Sequence, residues 1–181
     1  MTSSEEFTEF AETASLQLRR TAFLLCGNWH TAEDLAQTTL AKVFVSWRKI
    51  RRRDAVRAYA ARTLVNTYLA DKRLKRTAEI LTDRFPECPV EPHAPETRMV
   101  VLGALATLPP RARAVVVLRY WEDLSVEQVA AVLGCSPGNV KSLAAGALGK
   151  LRTVLDETLT GYDPAERRVE EQHEARDTRH G

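Results

Sequence analysis

Four prolines, Pro86, Pro89, Pro92 and Pro95, fall three residues apart near the middle of the 181-residue chain. Proline lacks an amide hydrogen and its ring collides with the preceding turn, so this spacing cannot support a helix. The same stretch is acidic: residues 79–97 hold five carboxylates and one arginine, Arg84. Repeated proline favours an extended, partly polyproline connection. The chain is thereby expected to form two units, 1–76 and 97–160, joined by a flexible linker at 77–96. The segment 161–181 is polar. From Asp163 its only apolar residues are Ala165, Val169 and Ala175. Such a segment buries little surface, and disorder or a frayed helix is expected there.

Both units have the period of helices, and no segment alternates as a strand would. Phe7, Phe10, Ala14, Leu18, Ala22 and Leu25 recur every three or four residues, predicting one amphipathic helix over 4–26 that ends at Gly27-Asn28. Thr31-Ala-Glu-Asp34 has the pattern of a capping box opening a second helix. Leu35, Leu40, Val43, Phe44 and Trp47 form its apolar stripe. Asp54 is placed to cap a third helix running to about Arg76, with Val56, Tyr59, Leu64, Val65 and Leu69 on its apolar side. Helices resume from Glu96 to Leu108 and, with Pro110 in the first turn, over 110–121. The fold class is all-α, two small helical domains.

Charge is unevenly placed. The net charge is +2, yet residues 48–76 carry eleven bases against Asp54 and Asp71. A basic block of that density suggests a polyanionic partner. Trp47, Tyr59 and Tyr68 lie among the bases, a mixture that suits single-stranded nucleic acid.

Residues 125–152 carry the sharpest local pattern. Ser125 and Gln128 form a capping box, Gly134 stands where a tight turn needs positive φ, and Ser136-Pro137 opens the next helix. Val129, Val132 and Leu133 give the first helix a buried side; Val140, Leu143, Ala144, Ala147, Leu148 and Leu151 do so for the second. Short helix, tight turn and second helix make a helix-turn-helix, whose second helix enters a DNA groove. Asn139, Lys141 and Ser142 then face base edges and phosphates.

Other chemistry finds little support. Cys26, Cys88 and Cys135 are far apart and the four histidines are scattered, so no disulfide framework, metal or cofactor is expected. No nucleophile–base set or phosphate-binding glycine loop suggests an enzyme. No apolar run approaches the roughly 18 residues of a membrane span. The first 15 residues hold four Glu and no base, unlike a secretory signal. A cytoplasmic location is expected.

These residues carry a family likeness. The chain resembles an extracytoplasmic-function sigma factor of RNA polymerase, and its details are similar to the SigE-like actinobacterial group. Thr-Ala-Glu-Asp-Leu-Ala-Gln (31–37) resembles the family's polymerase-binding helix. Arg-Thr-Leu-Val-Asn-Thr-Tyr-Leu (62–69), followed by Lys72–Arg76, resembles its promoter-melting helix. Residues 108–120 with the helix-turn-helix resemble its C-terminal DNA-binding domain. The resemblance implies that Glu33, Asp34 and Gln37 meet core polymerase, at the β′ clamp helices, with the β subunit a further partner. It implies that Arg57, Arg62, Asn66, Lys72, Arg73 and Arg76 hold the melted non-template strand of the minus-ten element. Ser136, Asn139, Lys141, Ser142 and Arg152 would read the minus-35 duplex. An anti-sigma partner also follows from the resemblance; no membrane role and a monomeric free state are expected as well.

The chain departs from the family pattern in two places. Thr38 stands where an acid usually follows the glutamine, and residues 143–152 lack the bases common in mid recognition helix. Fewer phosphate contacts mean weaker, less salt-dependent binding. The other reading is a stand-alone helix-turn-helix regulator. Residues 31–76 would have no task in such a protein, and no heptad seam offers it a dimer interface.

Overall fold

The computed structural model describes residues 3–50, 55–79 and 96–160, with side chains over 3–50, 55–75 and 97–158. These residues form helices α1 (Ser3–Cys26), α2 (Trp29–Ser46), α3 (Val56–Glu79), α4 (Glu96–Ala106), α5 (Pro110–Val116), α6 (Val126–Leu133) and α7 (Pro137–Thr160). A 3₁₀ turn extends α2 at Trp47–Lys49, and a π-helical turn extends α5 at Val117–Trp121. No strand occurs among the described residues. The expected Asp54 cap, the proline segment, Cys88 and the segment from 161 onward lie outside them.

The helix ends follow their capping chemistry, with one revision. Gly27 closes α1 at φ 74°, a conformation that costs glycine little. The cap of α2 is Asn28 rather than Thr31: its side-chain oxygen accepts the Thr31 amide at 2.9 Å. Asparagine is among the strongest N-caps, and it captures the chain early enough for Trp29 and His30 to join the helix. α3 continues to Glu79, three residues beyond the expected end, since no proline intervenes before Pro86. The box at α6 forms as expected: the Gln128 amide donates to Ser125 Oγ at 3.1 Å and the Ser125 amide to Gln128 Oε1 at 2.7 Å. Gly134 turns the chain at φ 60°, ψ 46°, and Ser136 Oγ accepts the Asn139 amide at 3.2 Å to start α7.

Aromatic contacts pin both ends of the α1–α2 hairpin. Phe7 lies 4.8 Å from Phe44 and 5.2 Å from Trp47, centroid to centroid, while Phe23 and Trp29 stack at 4.1 Å. Between them Leu18, Ala22, Leu25, Leu35 and Val43 are buried, and α3 lays Val56, Ala60, Leu64, Val65 and Tyr68 on the pair. Each fully buried large aliphatic side chain contributes about 1.5–3 kcal/mol of transfer free energy. Two expected core residues stand at the stripe edges instead: Phe44 is 53% and Leu148 39% exposed.

The two groups of helices pack on each other. One buried cluster runs from Leu25, Leu64 and Tyr68 into Val115, Leu118 and Val129. Arg113 of α5, 9% exposed, sits at the junction. Its guanidinium donates to Leu25 O at 2.7 Å, Ala106 O at 2.8 Å and Leu108 O at 3.3 Å. These carbonyls belong to the C-terminal ends of α1 and α4, where the helix dipole is negative. Helix ends therefore compensate a cation that no carboxylate pairs with among the described residues.

Two acids beside this junction make stability depend on alkaline pH. Burial pushes the Cys26 thiol up to about 11 and the Tyr68 phenol up to about 12. Both folded values lie above the unfolded ones, so the neutral forms favour the fold. Their contribution is complete below the unfolded pKa values and is lost as pH rises through the folded ones. The urea midpoint is expected to fall steadily between about pH 9 and about pH 12; a flat profile there would contradict this burial.

Candidate nucleic-acid interface

α3 sorts its basic residues by helical angle. At 3.6 residues per turn, Arg62, Asn66 and Arg73 fall within about 40° of one another, directly opposite the buried side. All three side chains are exposed. Lys72 lies nearer the edge, half-buried, with Nζ 6.0 Å from the Tyr68 ring centroid. Arg57 does not join them. It stands in the first turn of α3, about 180° around the helix from Asn66. There it lines a cavity of about 440 Å³ with Glu6, Glu9, Phe10, Thr13, Trp47 and Val56. Arg76 belongs to α3, and its side chain lies outside the described set.

The helix is braced from behind. Tyr59 donates its hydroxyl to Ser46 Oγ at 2.9 Å, and Lys42 of α2 donates to Thr67 Oγ1 at 2.9 Å. The aromatic residues expected to stack on bases are used in this packing. Trp47 is 3% and Tyr68 2% exposed, and Tyr59 is half-buried. Their spacing among the bases is that of a core stripe, which a linear sequence does not distinguish from a stacking platform.

On α2, Glu33, Asp34 and Gln37 are exposed and lie within about 100° of arc. Glu33 approaches Arg19 at 3.7 Å, and Asp34 approaches His30 at 3.7 Å. Such surface pairs are worth little. With Asn28 as cap, neither acid is needed to start the helix. The three therefore present a polar face with hydrogen-bond acceptors for a partner.

On α7, Ser136, Asn139, Lys141 and Ser142 cluster, exposed, at the N-terminal end. Arg152 is exposed but about 16 Å further along the axis than Lys141. Lys150, a further base of this helix, is already engaged: Nζ donates to Thr107 O at 2.6 Å, beyond the end of α4. The exposed side between Lys141 and Arg152 carries Ala145, Gly146 and Gly149. This leaves a smooth, weakly charged surface.

The comparisons with known proteins cover both groups of helices. Residues 11–77 match the family described as sigma-70 region 2, and residues 98–151 match sigma-70, region 4. The chain belongs to the sigma-70 family. It is 38% identical over 154 residues to the RNA polymerase sigma-E factor of Streptomyces coelicolor, a match covering 83% of this chain and 86% of that protein. It is 35% identical over 132 residues to the ECF RNA polymerase sigma factor SigE of Mycolicibacterium smegmatis, covering 68% of this chain and 51% of that one. The fold is shared with the sigma factor RpoE, solved in complex with the anti-sigma factor NepR from Bartonella quintana. The TM-score is 0.72 at 24% identity, over 84% of this chain and 98% of that one.

The protein is thus an extracytoplasmic-function sigma factor, which binds core RNA polymerase and directs promoter-specific initiation. Sigma factors are non-catalytic initiation factors. The stand-alone regulator is set aside, because the match includes region 2 as well as the helix-turn-helix. No described helix of this sigma factor is long and apolar enough to cross a membrane. Its Asn28 cap and the engagement of Lys150 escaped the sequence patterns. Asparagine after Gly27 was a legible signal for the first, whereas nothing local announces the second.

The smooth face of α7 has a stability consequence. A Cβ placed at Gly146 or Gly149 meets no atom within 4 Å. Gly146→Ala and Gly149→Ala are each expected to stabilise the sigma factor by about 0.5–1 kcal/mol. A thermal melt should show a higher Tm for each, and a lower one would indicate that these glycines serve the backbone.

Proposed function

We propose a residue-level division of labour for this sigma factor. Residues 1–76 form the domain that binds polymerase and the minus-ten element, 97–160 form the domain that reads the minus-35 element, and 77–96 link them. Glu33, Asp34 and Gln37 contact the β′ clamp helices, where carboxylates accept charge-assisted hydrogen bonds from basic partner side chains. Arg62, Asn66 and Arg73 hold the melted non-template strand, with Lys72 and Arg76 extending the contact to its phosphates; Arg57, on the opposite side of α3, stands outside this contact. The single observation that carries this reading is the alignment of Arg62, Asn66 and Arg73 on the side of α3 facing away from the core. With Trp47 and Tyr68 buried, capture of the strand relies on charge and on the asparagine amide more than on stacking. Asn66 suits base reading because its amide both donates and accepts.

Ser136, Asn139, Lys141 and Ser142 contact the minus-35 duplex, and Arg152 serves a phosphate outside that cluster. The small residues along α7 favour close approach with few phosphate contacts, so binding there depends on tethering through polymerase. The sigma factor works in the cytoplasm, is monomeric when free and is held in check by an anti-sigma protein. Complexes of RpoE with NepR and of CnrH with the cytosolic domain of CnrY support this last element.

The direct test is transcription by purified core RNA polymerase on fragmented high-GC actinobacterial DNA, with and without the protein. Protein-dependent transcripts sharing two upstream elements are expected. On such a promoter, Arg62→Ala with Asn66→Ala should lower open-complex formation by about tenfold or more. Core-polymerase affinity should change by less than about twofold. Equal loss of both would refute the strand-holding role. Lys141→Ala should weaken transcription from promoters with a minus-35 element and reduce the salt slope of binding by about 1. Unchanged activity across promoters would count against it.

A further inference from the structure

Where α1 meets α4 the surface folds into a cavity of about 680 Å³. It shares no residue with the surfaces assigned above, and its volume is in the range of small-molecule sites. α1 supplies one wall. Leu16, Arg20, Phe23 and Leu24 recur there at helical spacing, so they share one stripe. α4 adds Arg98 and Val101, one turn apart, and Trp29 and Trp121 contribute their rings.

The lining carries apolar surface and positive charge that the fold itself does not use. Leu16 is 53%, Val101 42% and Trp121 45% exposed. Contiguous exposed apolar surface marks a place where something binds. Arg20 and Arg98 are exposed too, and neither forms an ion pair or hydrogen bond with another described residue. No acid is among the described residues that line the cavity. Glu122, which follows Trp121, is committed elsewhere: Thr21 Oγ1 donates to its carboxylate, as does Gln17 Nε2 at 3.2 Å. The Trp121 indole N–H donates to Thr21 Oγ1 at 3.2 Å, which fixes the ring. The Arg98 guanidinium lies 4.8 Å and 5.2 Å from the ring centroids of Phe23 and Trp29. Stacking of this kind occupies the face of the guanidinium and leaves its N–H edge for an acceptor.

We propose that this cavity is a binding site for a free fatty acid, with Arg98 and Arg20 taking the carboxylate and the apolar stripe taking the chain. A planar guanidinium matches a carboxylate with paired N–H donors. From Leu16 to Leu24 the α1 wall rises about 12 Å. A saturated chain advances about 1.25 Å per carbon, from bonds of about 1.5 Å at about 111°, so about ten carbons span the stripe. Leu16, Phe23, Val101 and Trp121 cover that chain, and each methylene taken from water adds to the affinity. The lining draws on both matched regions, 11–77 and 98–151, so neither forms the site alone.

The test is titration of the full chain, without polymerase, with sodium dodecanoate below its micelle concentration, read by tryptophan fluorescence. Trp29 and Trp121 line the cavity, whereas Trp47 is buried away from it. A saturable change with a Kd of about 10–100 μM is expected for a ligand of this size. Dodecyltrimethylammonium, with the same chain and the opposite charge, should bind about tenfold more weakly or worse. Arg20→Gln with Arg98→Gln should weaken dodecanoate binding by about tenfold or more. Val101→Phe, which fills the cavity and keeps both arginines, should weaken it as well. All three positions are exposed, so circular dichroism should show native helices in both variants. No saturable change, equal affinity for the two amphiphiles, or wild-type affinity in either folded variant overturns the site. If a variant loses its helices, the comparison of the two amphiphiles on the wild type decides.

Discussion

A buried guanidinium holds this molecule together. Arg113 carries its guanidinium into the centre of the protein and, among the described residues, donates to backbone carbonyls at the ends of α1 and α4. Burying a charge is costly unless it is hydrogen-bonded and compensated. Two converging helix C-termini supply both, since their last carbonyls lack intrahelical donors. The arginine in turn satisfies those carbonyls. One side chain thereby ties the end of α1, which Gly27 closes, to the end of α4 and to α5.

The functional surfaces are what this packing leaves outside. α3 spends Val56, Ala60, Leu64, Val65 and Tyr68 on the core, so the residues at the opposite angle, Arg62, Asn66 and Arg73, are presented together. α2 turns Leu35, Ala36, Thr39 and Val43 inward and leaves Glu33, Asp34 and Gln37 outward. In α7 the same logic yields a surface of small residues, because Lys150 is drawn back to Thr107 O. With so little charge on α7, the proposed reading of DNA there relies on the first group of helices, and on polymerase, for placement on a promoter.

Much of this was legible in the sequence for physical reasons. Capping and turn chemistry are local: Ser125 with Gln128, Gly134 and Ser136-Pro137 act within four residues, and each is used as its chemistry predicts. Helical period likewise separates buried from exposed positions. It loses precision at stripe edges, where Phe44 and Leu148 lie. The density of neighbouring bases misled instead: beside so much charge Trp47 and Tyr68 looked like stacking groups, and both are core, as the apolar stripe had placed Trp47.

The sequence by itself determined the helices, most of their ends and the family to which the chain belongs. Those properties depend on neighbours within a turn or two, or on motif order along the chain. Only the tertiary structure decided that Arg57 stands apart from Arg62 and Asn66, that Lys150 is engaged, and that Thr21 of α1 meets Glu122 after the π turn. The last contact joins residues 101 positions apart. A threonine and a glutamate are ordinary surface residues until packing brings them together.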